Sequence, residues 1–132
     1  MPYESDRYCF ACGELNPIGL HLQFSYGEAS AEARFTPGRV HQGYPGLVHG
    51  GLVATLLDEA MAHAVIAAHG MAVTGELRVR LRGQGVPVGR PLRLLGQVVG
   101  QRGRLIVVEA QILGEDGAVL AQGEGKFMLA SG

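Results

Sequence analysis

Residues 50–69 read GGLVATLLDEAMAHAVIAAH, with no proline and no glycine after the opening pair. Ala, Leu and Met dominate, and these are strong helix formers. Gly70 follows as a natural stop, and His69 suits the negative end of a helix. The stretch predicts one helix of about five turns, apolar on most sides. A helix of that kind is normally buried, so the rest of the chain has to supply a surface that wraps it.

The flanking segments have the period-two pattern of strands. Leu20, Leu22 and Phe24 alternate with His21, Gln23 and Ser25. After Gly27, Ala29, Ala31, Ala33 and Phe35 alternate with Ser30, Glu32, Arg34 and Thr36. The two runs predict a hairpin, ended by Pro37. Gly38, Gly43, Pro45 and Gly46 mark residues 38–48 as an irregular loop. Beyond the helix, Leu77, Val79 and Leu81 alternate with Glu76, Arg78, Arg80 and Arg82. Further strands are expected at 92–99, 105–113 and 118–129. Pro87 to Pro91, Gln101-Arg102-Gly103 and the Asp-Gly turn at Glu115-Asp116-Gly117 punctuate them. Short connections predict that these four late strands are antiparallel neighbours. The expected class is α+β, a curved antiparallel sheet of about six strands around one long central helix. Residues 1–132 are read as a single domain, with 1–19 as an N-terminal cap or loop.

A chain of 132 residues can bury about two-thirds of its unfolded surface, enough for a core without staples. Apolar residues make up 47% and charged residues 17%, which excludes a disordered charged tail. The net charge of −1 argues against a nucleic-acid partner. The polar opening Met1-Pro2-Tyr3-Glu4-Ser5-Asp6 lacks the apolar core of a signal peptide. No apolar run is expected to reach the ~20 residues that span a bilayer. A cytoplasmic protein without membrane attachment is the expectation.

Two groups of residues carry chemistry. Gly50 and Gly51 open the helix, where unpaired N–H groups and a partial positive charge can stabilise an oxyanion. Asp58 lies on the same helical face two turns on, amid Leu56, Leu57, Ala60 and Met61, and a lone carboxylate there needs a partner or a function. Thioester hydrolysis needs both an oxyanion site and a carboxylate that activates water or attacks directly. The two are too far apart on one helix to meet at one carbonyl. That argues for a homodimer with shared active sites. Glu59 points about 100° away and is read as structural. His63 and His69 are read as helix-surface or interface residues. Cys9 and Cys12 form a Cys-Phe-Ala-Cys-Gly run without a second Cys pair. A packing or turn role is expected for them. A zinc site completed by His21 and His41, or a redox pair, are the alternatives weighed.

The segment from His49 to Asp58, a His-Gly-Gly helix start with an acid nine residues after the His, resembles the hotdog thioesterase superfamily. It most resembles the branch with the phenylacetate-degradation thioesterases and the small mammalian thioesterase-superfamily members. Cys9-Phe10-Ala11-Cys12-Gly13 with Asn16-Pro17-Ile18-Gly19-Leu20 resembles a bacterial subgroup. The resemblance implies an acyl-CoA thioesterase with the hotdog fold, needing no metal or redox cofactor. It implies Asp58 as the catalytic acid residue, a Gly50 or Gly51 amide as the carbonyl-polarising donor, His49 as a positioning residue and Thr74 as a helper that orients water. Some relatives carry Asn or Gln where this chain has Gly43, so Gln42 is the candidate substitute. Tyr44 is placed at the border of the acyl pocket, and Arg102 and Arg104 at a hairpin tip where relatives contact coenzyme A phosphates; arginine suits phosphate. A homotetramer is the expected assembly. Two other readings share the fold: a dehydratase or hydratase using His49 with Asp58, and a non-catalytic acyl-CoA binding module.

Overall fold

The computed structural model describes residues 5–130; residues 1–4 of the expected cap lie outside it. The chain forms β1 (Ser25–Gly27), β2 (Ser30–Phe35), a short 3-10 turn (Arg39–His41), α1 (Gly50–Ala68), β3 (Ala72–Leu81), β4 (Leu92–Arg102), β5 (Leu105–Leu113) and β6 (Val119–Leu129). The strands make one antiparallel sheet in the order β1-β2-β4-β5-β6-β3. One long helix packed on this sheet is the expected hotdog layout.

Helix α1 ends where the sequence places its stop, with Gly70 in the left-handed region at φ 97°. Val53, Leu56, Leu57, Ala60, Met61, Ala64 and Val65 are buried, the i, i+3, i+4, i+7 spacing of one apolar stripe. They meet Leu92, Leu94, Ile106, Val108, Ile112 and Phe127 from the sheet in one core. The expectation of burial on nearly all sides is corrected. In a single chain, Leu52, Ala54, Ala62 and Ile66 on the remaining faces stay only half-buried. Gly50–His69 is also long and apolar enough to cross a membrane by length and composition, contrary to the reading that no run reaches that length. Here it is the core helix of the sheet.

Two other expectations are corrected. Residues 20–24 alternate in burial but form no strand. The Leu20 and Leu22 N–H groups donate to Phe10 O and Ala11 O at 2.9 Å each, and His21 sits at φ 54°. The alternation reports which side chains face the core, and the backbone pairs with the N-terminal loop instead of a ladder. The four late strands form one contiguous antiparallel block, β4-β5-β6-β3, but β3 and β4, consecutive in the chain, do not pair. The link from Arg82 to Pro91 crosses the sheet, so β3 pairs β6 at one edge while β4 pairs β2. Gly83, Gly85 and Gly89 take positive φ there, which suits a long crossing loop rather than a tight turn.

The helix approaches the sheet closely at Gly96 on β4. A Cβ at that position would come within 2.1 Å of Ala60 O and 2.6 Å of Ala60 C. These are backbone atoms of α1, which no rotamer change can move aside. Gly96→Ala is therefore expected to destabilise by about 3 kcal/mol or more. Thermal unfolding followed by circular dichroism should show a loss on the order of 10 °C. A melting temperature within 2–3 °C or so of wild type would refute this close approach.

Candidate active site

The first turn of α1 is organised by His49, its N-cap residue at φ −56°, ψ 134°. The His49 Nδ1 accepts from the Gly51 N–H at 3.0 Å. Its own N–H donates to His41 O at 2.9 Å, and its carbonyl accepts from Leu52 and Val53. These bonds leave the Gly50 N–H without an acceptor among the described residues. The two glycines are thus not equivalent. Gly51 is capped by the histidine ring, and Gly50 presents the amide that is free to meet a ligand. A Cβ at Gly50 would touch nothing within 4 Å, whereas one at Gly51 would press on the His49 ring at 3.2 Å. The sequence motif treats the pair alike; only the geometry separates them.

Asp58 is half-buried and accepts a hydrogen bond on Oδ1 from the Thr74 hydroxyl at 2.7 Å. Thr74 reaches it because β3 is bulged. Thr74 pairs with Phe127 and Glu76 with Lys126, which leaves Gly75 unopposed, and such a bulge re-aims neighbouring side chains. Burial holds the Asp58 carboxyl above its ordinary range; the Thr74 hydrogen bond opposes that, and the charge of adjacent Glu59 adds to it. A carboxyl tuned upward and still held as an acceptor is suited to taking a proton from water near neutral pH. Within one chain, Asp58 lies about 12 Å along the helix from Gly50.

The other expected site residues are scattered. Gln42 Oε1 accepts from the Gly46 N–H at 3.2 Å, and the Gln42 backbone bridges Val48. Its amide oxygen closes the loop. Gly43 lies against His49, where a Cβ would stand 3.2 Å from His49 Cα, so the loop packs in the space an amide side chain would need. Tyr44 is 83% exposed. Arg102 and Arg104 flank Gly103 at the exposed β4–β5 tip. A concavity of about 700 Å³ opens on the face of the sheet away from α1, lined by Glu32, Arg78, Gln97, Glu109 and Glu124 among others. None of Asp58, Thr74, His49 and Gly50 borders it.

Sequence reasoning missed a second cluster around Glu59. His63 Nε2 lies 3.3 Å from Glu59 Oε2, its Nδ1 lies 2.8 Å from the Tyr26 hydroxyl, and its ring stacks on Phe24 at 4.2 Å. Cys9 and Cys12 approach the same carboxylate, with donor atoms of Cys9, Cys12 and Glu59 all within 4.8 Å of one another. His21 and His41, expected as partners of the cysteines, are engaged elsewhere, His21 with Asn16 O and His41 with the Gly38 N–H. Burial, with Glu59 beside it, pushes the Cys12 thiol up to about 12, opposite to the lowered value of a redox or nucleophilic cysteine. The i, i+4 spacing of Glu59 and His63 was a readable sign of a shared helix face. Their proximity to Cys9 and Cys12 is a long-range pairing that spacing does not encode.

No curated protein matches the chain. Solved structures with the same fold include a protein described as a thioesterase superfamily member, 29% identical with a TM-score of 0.86, covering 93% of this chain and 61% of its own. The E. coli PaaI protein from the phenylacetic acid degradation operon is 23% identical at a TM-score of 0.76, over 83% of this chain and 84% of its own. A Streptococcus mutans protein bound to acetyl CoA is 20% identical at a TM-score of 0.77, over 89% and 97%. This chain therefore spans about 61% of the first of these and most of the other two. The family model described as Thioesterase superfamily matches residues 45–121, more than half of the sequence and including His49, Gly50, Asp58 and Thr74. The chain belongs to the thioesterase superfamily.

Proposed function

We propose that this protein hydrolyses acyl-CoA thioesters in sites shared between two copies of the chain. The observation that carries the reading is the half-buried Asp58 carboxylate, raised above its ordinary range and held by Thr74. It stands on the helix whose first turn keeps one amide, Gly50 N–H, without an acceptor among the described residues. Thr74 engages Oδ1 and leaves Oδ2 for water. In the general-base form, Asp58 takes a proton from water as the oxygen attacks the thioester carbon. The carbonyl oxygen becomes an oxyanion facing the Gly50 N–H. Collapse breaks the carbon–sulfur bond, and Asp58 returns the proton to the departing CoA thiolate. The alternative form has Asp58 attack the thioester carbon directly, breaking the carbon–sulfur bond and expelling CoA thiolate to give a mixed anhydride. Water then cleaves the anhydride to the free acid and the Asp58 carboxylate, and the proton it releases neutralises the thiolate. Neither form requires a metal or redox cofactor.

The second copy follows from distance and from unfinished surfaces. Asp58 and Gly50 of one chain lie too far apart to act on the same carbonyl. β3 is a ten-residue edge strand, and an unpaired edge is a template for another strand. Leu77 on it is 36% exposed and lies on the sheet face that covers α1, opposite Gly125. Pairing two β3 edges brings two α1 helices together and lets Asp58 of one chain reach Gly50 of the other. Further pairing of dimers gives the expected homotetramer. The acetyl-CoA-bound relative supports an acyl-CoA ligand, for which Arg102 and Arg104 are the candidate phosphate contacts and Tyr44 the candidate pocket border.

The test is thiol release by wild-type protein from short, medium, long and aryl acyl-CoAs. Turnover of at least one class is expected. Absence of turnover on all of them, with CoA still bound, would replace hydrolysis by binding alone. Water addition to an enoyl-CoA would point to the hydratase chemistry.

Thr74→Ala gives a finer test. Its hydroxyl lowers the Asp58 value, so its removal raises that value further. A base works deprotonated, so the acidic limb of the kcat/KM profile is expected to move to higher pH. The loss at the acidic end should be about tenfold, typical of a hydrogen bond to a charged group, and smaller at the alkaline end. A uniform loss across pH would mean that Thr74 does not act through the carboxylate.

A further inference from the structure

The cluster of Cys9, Cys12, Glu59 and His63 lies outside the hydrolytic machinery and has the makings of a metal centre. The turn from Cys9 to Gly13 is tightly closed. The Ala11 and Cys12 N–H groups donate to Cys9 Sγ at 3.3 and 3.4 Å, and the Gly13 N–H donates to Cys9 O at 2.8 Å. Only glycine fits at position 13, because a Cβ would come within 2.3 Å of Cys9 N. Two backbone N–H groups aimed at one sulfur are suited to a thiolate, which is the form a metal binds. The spacing Cys-x-x-Cys is a chelating one.

The third donor comes from the helix. Glu59 is brought to the cysteines with all three donor atoms within 4.8 Å of one another. A tetrahedral zinc with bonds of about 2.0–2.3 Å needs donors roughly 3.5–3.8 Å apart, which small side-chain rotations supply. His63 holds the carboxylate from behind. A neutral ring with Nε2–H facing Glu59 and Nδ1 accepting from Tyr26 satisfies both contacts. Such outer partners orient metal ligands. Thiolate sulfur with one carboxylate selects zinc over magnesium or calcium.

We propose that Cys9, Cys12 and Glu59 bind one zinc ion, with His63 positioning Glu59 and water completing the tetrahedron. The ion staples the N-terminal segment to α1 next to Asp58. It neutralises most of the charge of two thiolates and a carboxylate that would otherwise repel one another. The site is independent of the hydrolytic reading.

Protein purified without chelator and without a metal-binding tag should carry about one zinc per chain by elemental analysis. After chelation, titration with Co²⁺ should give a thiolate-to-cobalt charge-transfer band and intense visible bands of a tetrahedral site, both abolished by Zn²⁺. Cys9→Ser with Cys12→Ser should lose the band. His63→Ala should keep it while weakening affinity on the order of 10-fold. Wild type without bound zinc, and no charge-transfer band on cobalt titration, would overturn the proposal. So would a Cys9–Cys12 disulfide in freshly purified protein. Both decisive readouts use wild-type protein, so a variant that misfolds does not blur the result.

Discussion

Asp58→Ala is expected to lower kcat/KM on the best acyl-CoA by at least ~100-fold, the usual loss for a general base, while the protein stays folded. The carboxylate is held above its ordinary range chiefly by burial, so it costs the folded state something when ionised. The sign follows from linkage. That cost is full above the raised folded-state value and gone below the ordinary carboxylate value. Asp58→Asn should therefore melt higher than wild type near neutral pH, and the advantage should fade on acidification. An inactive but more stable variant is what a group retained for chemistry produces. Equal turnover by Asp58→Ala and wild type would remove Asp58 from the mechanism.

The second large effect is expected at Gly50→Pro. Proline has no N–H, so the substitution deletes the first-turn amide of α1 that has no acceptor among the described residues. The position tolerates the ring unusually well. Gly50 is the first helical residue, where proline is favoured. His49 before it is already extended at φ −56°, ψ 134°, as a residue preceding proline should be. Open space surrounds a Cβ at Gly50. The helix should survive, with kcat down ~100- to 1000-fold, the loss seen for one oxyanion donor. Gly50→Ala keeps the N–H and should lose much less. Similar activities in the proline and alanine variants would mean that this amide does not polarise the carbonyl.

Much of this was legible in the residues. The unbroken run 50–68 and the Gly70 stop define α1, period-two runs define β2 and β3, and the turns at 101–103 and 115–117 bound β4, β5 and β6. The spacing from His49 to Asp58 marked both halves of the candidate site, and Thr74 was indicated by the resemblance alone. What failed did so for physical reasons. Alternation at Leu20, His21 and Leu22 records burial, and burial does not say where the backbone hydrogen bonds go. Strand order depends on the ten-residue crossing from Arg82 to Pro91, whose glycines and prolines read equally as a turn. The difference between Gly50 and Gly51 rests on a rotamer of His49. The cysteine cluster depends on Cys9 and Cys12 meeting Glu59 about fifty residues away in sequence, a contact made only by the finished fold.

The shared site is tested most directly by mixing two inactive chains. Asp58→Ala retains a good Gly50, and Gly50→Pro retains a good Asp58. If each site takes Asp58 from one chain and Gly50 from the other, every mixed dimer has one intact site and one doubly defective site. Co-expressed in equal amounts and randomly paired in a two-fold dimer, they should recover about a quarter of wild-type turnover. Activity that stays at the sum of the two parents would place Asp58 and Gly50 of the same chain in each site, or outside it, and contradict the shared arrangement.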